Sequence, residues 1–228
     1  MKSKLKKLFD LLYVNYVRAF KKTELYQPSY NSQGHFLFRS SQDQRSSDDR
    51  LDLITTNLPH SPGSYLDVGS QLGYFVLKIS EKGFLSTGIE VNPVSYNYSS
   101  SLMRLNDVKN VSFLNFSLDI DSASSLPDFD VISILSVYHH MVYFAGKEKA
   151  DTALRILISK CKKTFFFETG EFEEKDFYWT DGLSFMGPNS SEGIENFLMS
   201  FGFTSVKKIG ENPTHLTSHK RSLFKCEK

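Results

Sequence analysis

The sequence predicts an α/β fold in which a mostly parallel sheet is covered by helices. Three observations lead to this prediction. Short apolar runs alternate with segments of helical periodicity from about residue 49 onward, a glycine turn follows the first buried run, and two strand-like segments close the chain with no helix between them. Consecutive strand–helix–strand units of this kind build a parallel sheet, and the closing pair adds antiparallel strands.

Residues 64–93 carry the clearest unit of the pattern. Residues 65–68 form a short apolar run, residues 69–73 form a glycine turn, and apolar residues at helical spacing follow as far as Gly83. A second buried strand, residues 86–90, stops at an acidic residue. The connection between two such strands is right-handed, and the ligand site lies at their carboxyl ends.

The other elements are predicted in order along the chain. Further strands are expected at residues 111–116, 129–136, 163–167, 203–209 and 222–226, for a total of seven. Helices are expected at residues 1–22, from Asp48 or Asp49 to before Pro59, from Pro93 to about Leu105, at residues 147–160 and from Asn189 to Gly202. Asn92 caps the helix that starts at Pro93, and Asn189 with Glu192 predicts a capping box.

Residues 1–22 predict an amphipathic helix with seven basic residues against a single acid, Asp10. Its large apolar side chains fall on one face: Leu5, Leu8, Phe9, Leu12, Tyr16 and Phe20. We expect this face to pack on the core and the basic face to be solvated. A peripheral membrane contact or a cap over the substrate is the alternative. Asp10 and Asn15 interrupt the apolar part, which argues against a signal peptide.

Residues 26–49 are polar and have no helical period, which predicts a surface loop or a lid over the ligand site. The chain has no internal repeat and no clear linker. We therefore divide it into residues 1–48, an N-terminal helix with a lid-like loop, and residues 49–228, a single α/β domain.

Composition excludes several classes of protein. The net charge of +1 is not that of a dedicated nucleic-acid binder, and no apolar stretch is long enough to span a bilayer. Two cysteines, Cys161 and Cys226, give neither a disulfide framework nor a metal-ligand spacing, so we expect a cytoplasmic protein. No metal site is predicted, because the acidic run at residues 168–174 is interpreted as a solvated loop.

The turn after the first strand combines glycines with acidic residues. Glu90 ends the neighbouring strand, and a carboxylate at that point can accept both hydroxyls of a ribose. Asp67 precedes Gly69 by two residues, where it would repel a pyrophosphate and suit a cationic ligand. Gly73 is interpreted as a point of close approach between backbone and ligand. The Gly-x-x-x-Gly spacing and Asp67 disfavour an NAD-type oxidoreductase.

Residues 66–75, Leu-Asp-Val-Gly-Ser-Gln-Leu-Gly-Tyr-Phe, resemble the first motif of class I S-adenosylmethionine-dependent methyltransferases. That motif usually reads Asp/Glu-x-Gly-x-Gly-x-Gly, and Gln71 replaces the middle glycine, which is tolerable if its φ is negative. The resemblance covers about residues 49–228. It implies a Rossmann-like class I methyltransferase fold with a seven-stranded sheet, and S-adenosyl-L-methionine as the cofactor. The implied cofactor contacts are Asp67, Gly69, Ser70, Gln71, Gly73, Tyr74, Glu90, Val91, Asp119, Ile120 and Ser136.

Two of these contacts have a specific interpretation. Asp119 follows the third strand and is a candidate acceptor for an adenine amino group, with Ile120 beside the ring. The alternative for Asp119 is a carboxylate in a surface loop.

The later segments resemble the tRNA-uridine carboxymethyl transferases and their relatives. Those proteins carry a tyrosine–histidine pair after the fourth strand and a glutamate–threonine pair after the fifth, here Tyr138–His139 and Glu168–Thr169. A neutral imidazole, with an unperturbed pKa of about 6.5, can serve as a base at neutral pH. The catalytic candidates are His139, which the resemblance favours, His140, and Glu168 as a partner of a histidine or of a substrate hydroxyl.

These observations predict an S-adenosylmethionine-dependent methyltransferase that acts on an oxygen of a small molecule or glycan. RNA methylation is one alternative, and it predicts a concentrated basic surface at the pocket mouth. A non-catalytic S-adenosylmethionine-binding module is another, and in it the histidines would have no chemical role.

Overall fold

The computed structural model describes residues 2–21, 27–30, 36–38, 47–175, 177–214 and 219–228. Most of the predicted lid, residues 26–49, lies outside these ranges. The helices are α1 (Lys2–Phe20), α2 (Ser47–Thr56), α3 (Tyr74–Ser80), α4 (Pro93–Leu105), α5 (Ile120–Ser125), α6 (Tyr138–Ala145), α7 (Lys147–Ser159) and α8 (Ser190–Met199), with a 3-10 helix at Thr180–Met186. The strands are β1 (Ser29–Tyr30), β2 (Phe36–Phe38), β3 (Ser64–Val68), β4 (Leu85–Ile89), β5 (Val111–Leu114), β6 (Phe129–Leu135), β7 (Cys161–Glu168), β8 (Ser205–Pro213) and β9 (Lys220–Glu227).

Seven strands form one sheet in the order β5-β4-β3-β6-β7-β9-β8, and β1 pairs with β2 apart from it. Strands β3 to β7 are parallel to one another, whereas β9 runs antiparallel to both β7 and β8. This arrangement confirms the predicted sheet and its antiparallel C-terminal pair. After β3 the chain adds β4 and β5 on one side of β3, and it then crosses over to add β6 on the other side. The direction of strand addition therefore reverses between β3 and β6, and ligands bind at such a topological switch point.

The sheet is covered on both faces, and β7 shows why its sequence is continuously apolar. Phe165 and Phe167 pack with α7 and α8 on one face, whereas Phe166 packs with α2 and α3 on the other. All three rings are fully buried. A parallel strand that is buried on both faces needs apolar residues at successive positions, which is the pattern from which this strand was predicted.

Of the two helix caps predicted from the sequence, the one at Asn92 is confirmed and the one at Asn189 is only partly formed. Asn92 Oδ1 accepts the N–H of Val94 at 2.8 Å ahead of Pro93, as predicted. Asn189 accepts the N–H of Glu192 at 3.3 Å, but the carboxylate of Glu192 contacts Asn189 Nδ2 at 3.5 Å instead of the cap backbone. The capping box predicted at Asn189 is therefore only half formed.

Helix α1 packs on α4 with a different face from the one predicted. Val14 and Val17 are buried against α4, and Asp10 receives three hydrogen bonds from Arg104. The predicted inner face, Leu5, Leu8, Phe9, Leu12, Tyr16 and Phe20, is exposed. The prediction that this face packs on the core is thus wrong, because the ion pair with Arg104 fixes the rotation of the helix. Arg104 also holds the pKa of Asp10 below its usual value. None of the described helices combines the length and apolarity needed to cross a bilayer.

Candidate active site

Two adjoining cavities open at the carboxyl ends of the central strands. The larger has a volume of about 1000 Å³ and the smaller about 280 Å³. Gly69, Leu135, Ser136 and His140 line both cavities, so that these residues form the wall between them. Pockets for small-molecule ligands usually measure about 300–1,000 Å³, and the larger cavity can therefore hold a ligand the size of a nucleoside cofactor.

The turn between β3 and α3 is held by the carboxylate of Glu90. Its Oε2 accepts the N–H of Gln71 at 2.8 Å, and its Oε1 accepts the N–H of Asn92 at 2.7 Å. Gln71 has φ 49°, so the condition under which it would be a tolerable replacement for the middle glycine, a negative φ, is not met. The left-handed conformation costs a non-glycine residue about 1 kcal/mol or more, and the bond to Glu90 offsets that strain. Glu90 thus shapes the turn as well as facing the larger cavity.

The two glycines of the turn are required by the protein's own packing. A Cβ on Gly73 would lie 2.5 Å from the ring of Phe113, and a Cβ on Gly69 would overlap the side chain of Val137. Both glycines have positive φ, 77° and 78°. Gly73 therefore makes room for the ring of Phe113, and its approach to a ligand stays a prediction.

The predicted cofactor contacts separate into three groups. Those that line the larger cavity are Gly69, Gln71, Glu90, Val91, Asp119, Ile120 and Ser136. Asp67 lines the smaller cavity. Ser70, Gly73 and Tyr74 line neither: Ser70 is fully buried and its hydroxyl has no hydrogen-bond partner among the described residues, and the hydroxyl of Tyr74 bonds to Asp48.

Asp67 is a buried carboxyl beside the shared wall. Its Oδ1 accepts a hydrogen bond from Ser133 Oγ at 2.6 Å, and Ser133 Oγ lies 2.6 Å from Tyr65 Oη. Burial raises the pKa of Asp67 to about 7, and the nearby Glu90 adds to the increase while the bond from Ser133 opposes it. Burial also raises the pKa of Glu90. The two acids therefore interact across the wall although they face different cavities.

Asp119 and Ile120 lie at the rim of the larger cavity, at the start of α5. Asp119 Oδ1 accepts the N–H of Ser122 at 2.8 Å, and the hydroxyl of Ser122 accepts the N–H of Asp119. These bonds hold the pKa of Asp119 below its usual value. Asp119 is thus both a helix cap and an ionised acceptor at the cavity rim.

A buried network of charges surrounds the smaller cavity. Glu168 accepts hydrogen bonds from Arg50 Nε and Ser136 Oγ, each at 2.7 Å. Arg221 forms a two-pronged ion pair with Glu174 at 2.7 and 2.8 Å and donates to Ser136 Oγ at 3.0 Å. Glu168 is therefore bonded to Arg50, Ser136 and Asn212, and none of its hydrogen bonds within the described part of the chain is to a histidine. Neither arginine lies in a recognisable motif, so neither could be predicted from the sequence.

The acidic run after β7 is largely buried. Glu171 and Glu174 are both at most 2% exposed, so the prediction of a solvated loop is wrong. Glu171 accepts the N–H of Ser222 at 2.5 Å and bonds to His219 at 2.7 Å. One ligand atom from each of Glu171, Glu173 and His219 lies within 4.8 Å of the others. Glu171 and Glu174 thus fasten the loop to β9, and Glu173 accepts the N–H of Ser190 at the start of α8.

The two adjacent histidines have different environments. His139 is buried, its Nδ1 accepts the N–H of Gly170 at 2.8 Å, and the hydroxyl of Thr169 accepts its backbone N–H. The two sequence pairs thus meet in space. Because Nδ1 accepts a hydrogen bond, the neutral ring carries its proton on Nε2 and presents a donor. Burial, with charges from Arg221 and His140, holds the pKa of His139 well below its usual value.

His140 lies at the junction of the cavities. It is half-buried and lines both of them, and its Nδ1 lies 2.9 Å from the hydroxyl of Tyr178. Tyr178 and Trp179 line the smaller cavity and pack against the histidine rings, with His140 and Trp179 centroids 5.5 Å apart. When Nδ1 donates to Tyr178 Oη, Nε2 has the lone pair that a base requires. In that tautomer His140, which faces both cavities, meets the requirements of a base better than the buried His139 does.

The strand order, the glycine turn and the cavity at the switch point define the fold of class I S-adenosylmethionine-dependent methyltransferases. No family model matches the chain. It is 27% identical over 187 residues to the O-antigen chain terminator bifunctional methyltransferase/kinase WbdD of Escherichia coli, which is 79% of this chain and 25% of the relative. The chain thus spans about a quarter of the length of this curated relative.

Solved structures agree with this relationship. A structure of the bifunctional kinase-methyltransferase WbdD matches with a TM-score of 0.68 and 27% identity over 80% of this chain and 40% of that chain. The magnesium protoporphyrin IX methyltransferase ChlM from Synechocystis PCC 6803, with bound S-adenosylmethionine, matches with a TM-score of 0.61 and 15% identity over 96% of both chains, which speaks for the fold alone. Together these findings show that the chain is similar to S-adenosylmethionine-dependent methyltransferases and confirm the predicted fold.

Proposed function

We propose that the chain transfers a methyl group to an oxygen of a small molecule or glycan, with S-adenosylmethionine in the larger cavity and the acceptor in the smaller one. The observation that carries this proposal is the shared wall, at which a histidine faces both cavities. In-line transfer requires donor and acceptor to meet at one point, and most of the catalytic effect then comes from alignment. The cofactor supplies a methyl group on a positively charged sulfonium, whose charge makes the sulfur a good leaving group.

The residues present fit such a cofactor. Glu90 is placed at the end of β4 to accept ribose hydroxyls, because each carboxylate oxygen has a second lone pair beyond its backbone bond. Asp119 and Ile120 flank the position of a base at the rim. Asp67 lines the smaller cavity next to Gly69, which lines both cavities, so its ionised carboxylate attracts the cationic end of the cofactor across the shared wall. ChlM, which has the same fold, contains bound S-adenosylmethionine in its structure, which supports the choice of cofactor.

The acceptor cavity combines aromatic walls with polar groups. Trp179 lines it, and the indole N–H is buried with no partner among the described residues. Ser136 and Tyr178, whose hydroxyl groups can hydrogen-bond a hydroxyl-rich acceptor, also line this cavity. A volume of about 280 Å³ suits the terminal unit of a larger molecule. The relative WbdD is named for the O-antigen chain, which also favours a glycan over other acceptors.

The charges around the cavities do not favour RNA as the acceptor. Lys149 is the basic residue lining the larger cavity, beside the acids Glu90, Asp119 and Asp121. The arginines of the smaller cavity are each paired with a glutamate. A nucleic-acid site needs unneutralised basic groups that contact phosphates, and the described walls do not provide a cluster of them.

A methyl-transfer screen tests the proposal. The protein is incubated with S-adenosylmethionine labelled in the methyl group and with separate glycan, lipid, RNA and protein fractions of an extract. We expect label in the glycan or small-molecule fraction, released by conditions that cleave methyl ethers or esters. Label that appears in RNA alone would overturn the proposed acceptor, and cofactor binding without label in any fraction would favour a non-catalytic module.

The raised pKa of Asp67 predicts that cofactor affinity depends on pH. With a pKa of about 7, the carboxyl is mostly neutral at pH 6 and mostly ionised at pH 8. Only the ionised form attracts a cation, so Kd for S-adenosylmethionine should rise about tenfold from pH 8 to pH 6. Calorimetry measures this, with 5′-methylthioadenosine, which lacks both positive charges, as the control ligand. An equal pH dependence for the two ligands, or for Asp67→Asn and the wild type, would exclude Asp67 as the cause.

Ionisation of Asp67 strengthens cofactor binding but lowers the stability of the cofactor-free protein. Because the folded-state pKa lies above the unfolded one, the contribution of Asp67 to stability is fully present below about pH 4 and is lost as pH rises through about 7. Cofactor binding offsets that loss. The increase in Tm caused by saturating cofactor should therefore be larger at pH 8 than at pH 6.

A further inference from the structure

The outer face of α1 is an exposed apolar surface on a helix that is otherwise firmly attached. Six large apolar side chains repeat at three- and four-residue intervals along it: Leu5, Leu8, Phe9, Leu12, Tyr16 and Phe20. Phe9 is 63% exposed and Phe20 is 74% exposed. Single exposed apolar residues are common in proteins, but a continuous row of this length usually marks a contact surface.

The helix cannot rotate to bury this row. Val14 and Val17 fill the contact with Tyr98 and Leu102 of α4 on the opposite side. Asp10 is 5% exposed and is held by Arg104, and rotation would leave this buried carboxylate without its partner. The packing of the opposite side of α1 on α4 therefore keeps the apolar row exposed.

Basic residues border the row. A helix turns by about 100° per residue, so Lys4 and Lys6 lie on opposite sides of the apolar residues, and both are exposed. Asp10, the acid of this segment, is neutralised by Arg104. The exposed part of α1 is therefore apolar in its centre and positively charged along its edges. This distribution is that of helices that lie in the plane of an anionic membrane surface.

We propose that α1 is a membrane-binding helix that docks the protein on a surface of anionic lipids, with the apolar row entering the interface and Lys4 and Lys6 contacting the headgroups. The positive charge at the edges of α1 favours an anionic lipid surface over a second copy of the chain as the binding partner. Two α1 helices placed face to face would bring their lysines together, whereas anionic headgroups complement them. The inference goes beyond the proposed function and does not depend on the identity of the acceptor.

Vesicle sedimentation of the full chain tests the proposal. Wild-type protein is mixed with vesicles of phosphatidylcholine alone and with vesicles that also contain phosphatidylglycerol. We expect binding to the anionic vesicles only, weakened by salt. Phe9→Glu should lower the partition coefficient by about tenfold or more, because it places a charge in the interface. Lys4→Glu combined with Lys6→Glu should give a similar loss on anionic vesicles.

The matched control is Leu85→Glu. Leu85 is 66% exposed and lies at the start of β4, so the substitution makes the same chemical change on a different surface and should leave vesicle binding unchanged. An unaltered Tm shows that the variants are folded. The proposal is overturned if wild type does not bind anionic vesicles, or if Phe9→Glu binds like wild type. It is also overturned if the protein forms a dimer that Phe9→Glu dissociates without vesicles.

Discussion

Replacing His140 with alanine should lower kcat by about 100- to 10,000-fold while cofactor affinity changes by less than about threefold. His140 faces both cavities, and its Nδ1 contact with Tyr178, at 2.9 Å, orients the ring. A hydroxyl acceptor must lose its proton as the new C–O bond forms, and the imidazole is placed to take it. Single-turnover methyl transfer, with cofactor binding measured separately by calorimetry, checks both parts of the prediction.

Chemical rescue distinguishes the loss of a base from a structural defect in the His140→Ala enzyme. Added imidazole can enter the space left by the side chain of His140 and should restore part of the rate, which a purely structural defect would not allow. His60→Ala is the matched control, because His60 is exposed and lies in the loop before β3, away from both cavities. A His140→Ala enzyme with unchanged kcat would remove the proposed base. That result would favour His139 as the base, or a mechanism in which the alignment of donor and acceptor is sufficient without a base.

Much of the fold was predictable because its determinants are local. All seven strands of the main sheet were predicted from apolar runs, and α4 from the Asn92–Pro93 start signal. Helix α6 was missed because its sequence, Tyr-His-His-Met-Val-Tyr-Phe-Ala, has no polar face and resembles the end of a strand. Helix α5 was missed because its short, serine-rich sequence has little helical propensity and depends on the cap at Asp119.

The site was less predictable because long-range contacts decide it. Gln71 in the motif and Glu90 at the end of the next strand could be assigned to the glycine turn from spacing alone, whereas the positive φ of Gln71 could not. Arg50 and Arg221 could not be placed in this way, since they are 171 positions apart in the chain and meet the smaller cavity only when α2 and β9 pack beside β7. The rotation of α1 likewise depends on the partner of Asp10, 94 residues away. Periodicity identifies the apolar side of a helix but not the surface that this side faces.

The buried ion pair between Arg221 and Glu174 holds the acidic loop in place. The side chain of Glu174 is fully buried and that of Arg221 is 6% exposed. Glu174 Oε1 also accepts the N–H of Glu171, which ties the acidic loop to the pair. Removing one member of a buried pair leaves the other charge in a site of low polarity, and such losses usually cost about 3–5 kcal/mol. The loop that carries Tyr178 and Trp179 follows directly, so its position depends on the same pair.

Arg221→Ala should therefore lower the free energy of unfolding by about 3–5 kcal/mol and Tm by about 10 °C. Denaturant titration and thermal unfolding measure the two quantities. The matched control is Lys162→Ala, which removes an exposed ion pair with Asp128 at 3.7 Å and should cost less than about 1 kcal/mol. Arg221→Lys keeps the charge but loses the two-pronged geometry, and it should fall between the two. If Arg221→Ala and Lys162→Ala have equal effects, the buried pair does not hold the loop, and the cavity wall at Trp179 must be supported by apolar packing alone.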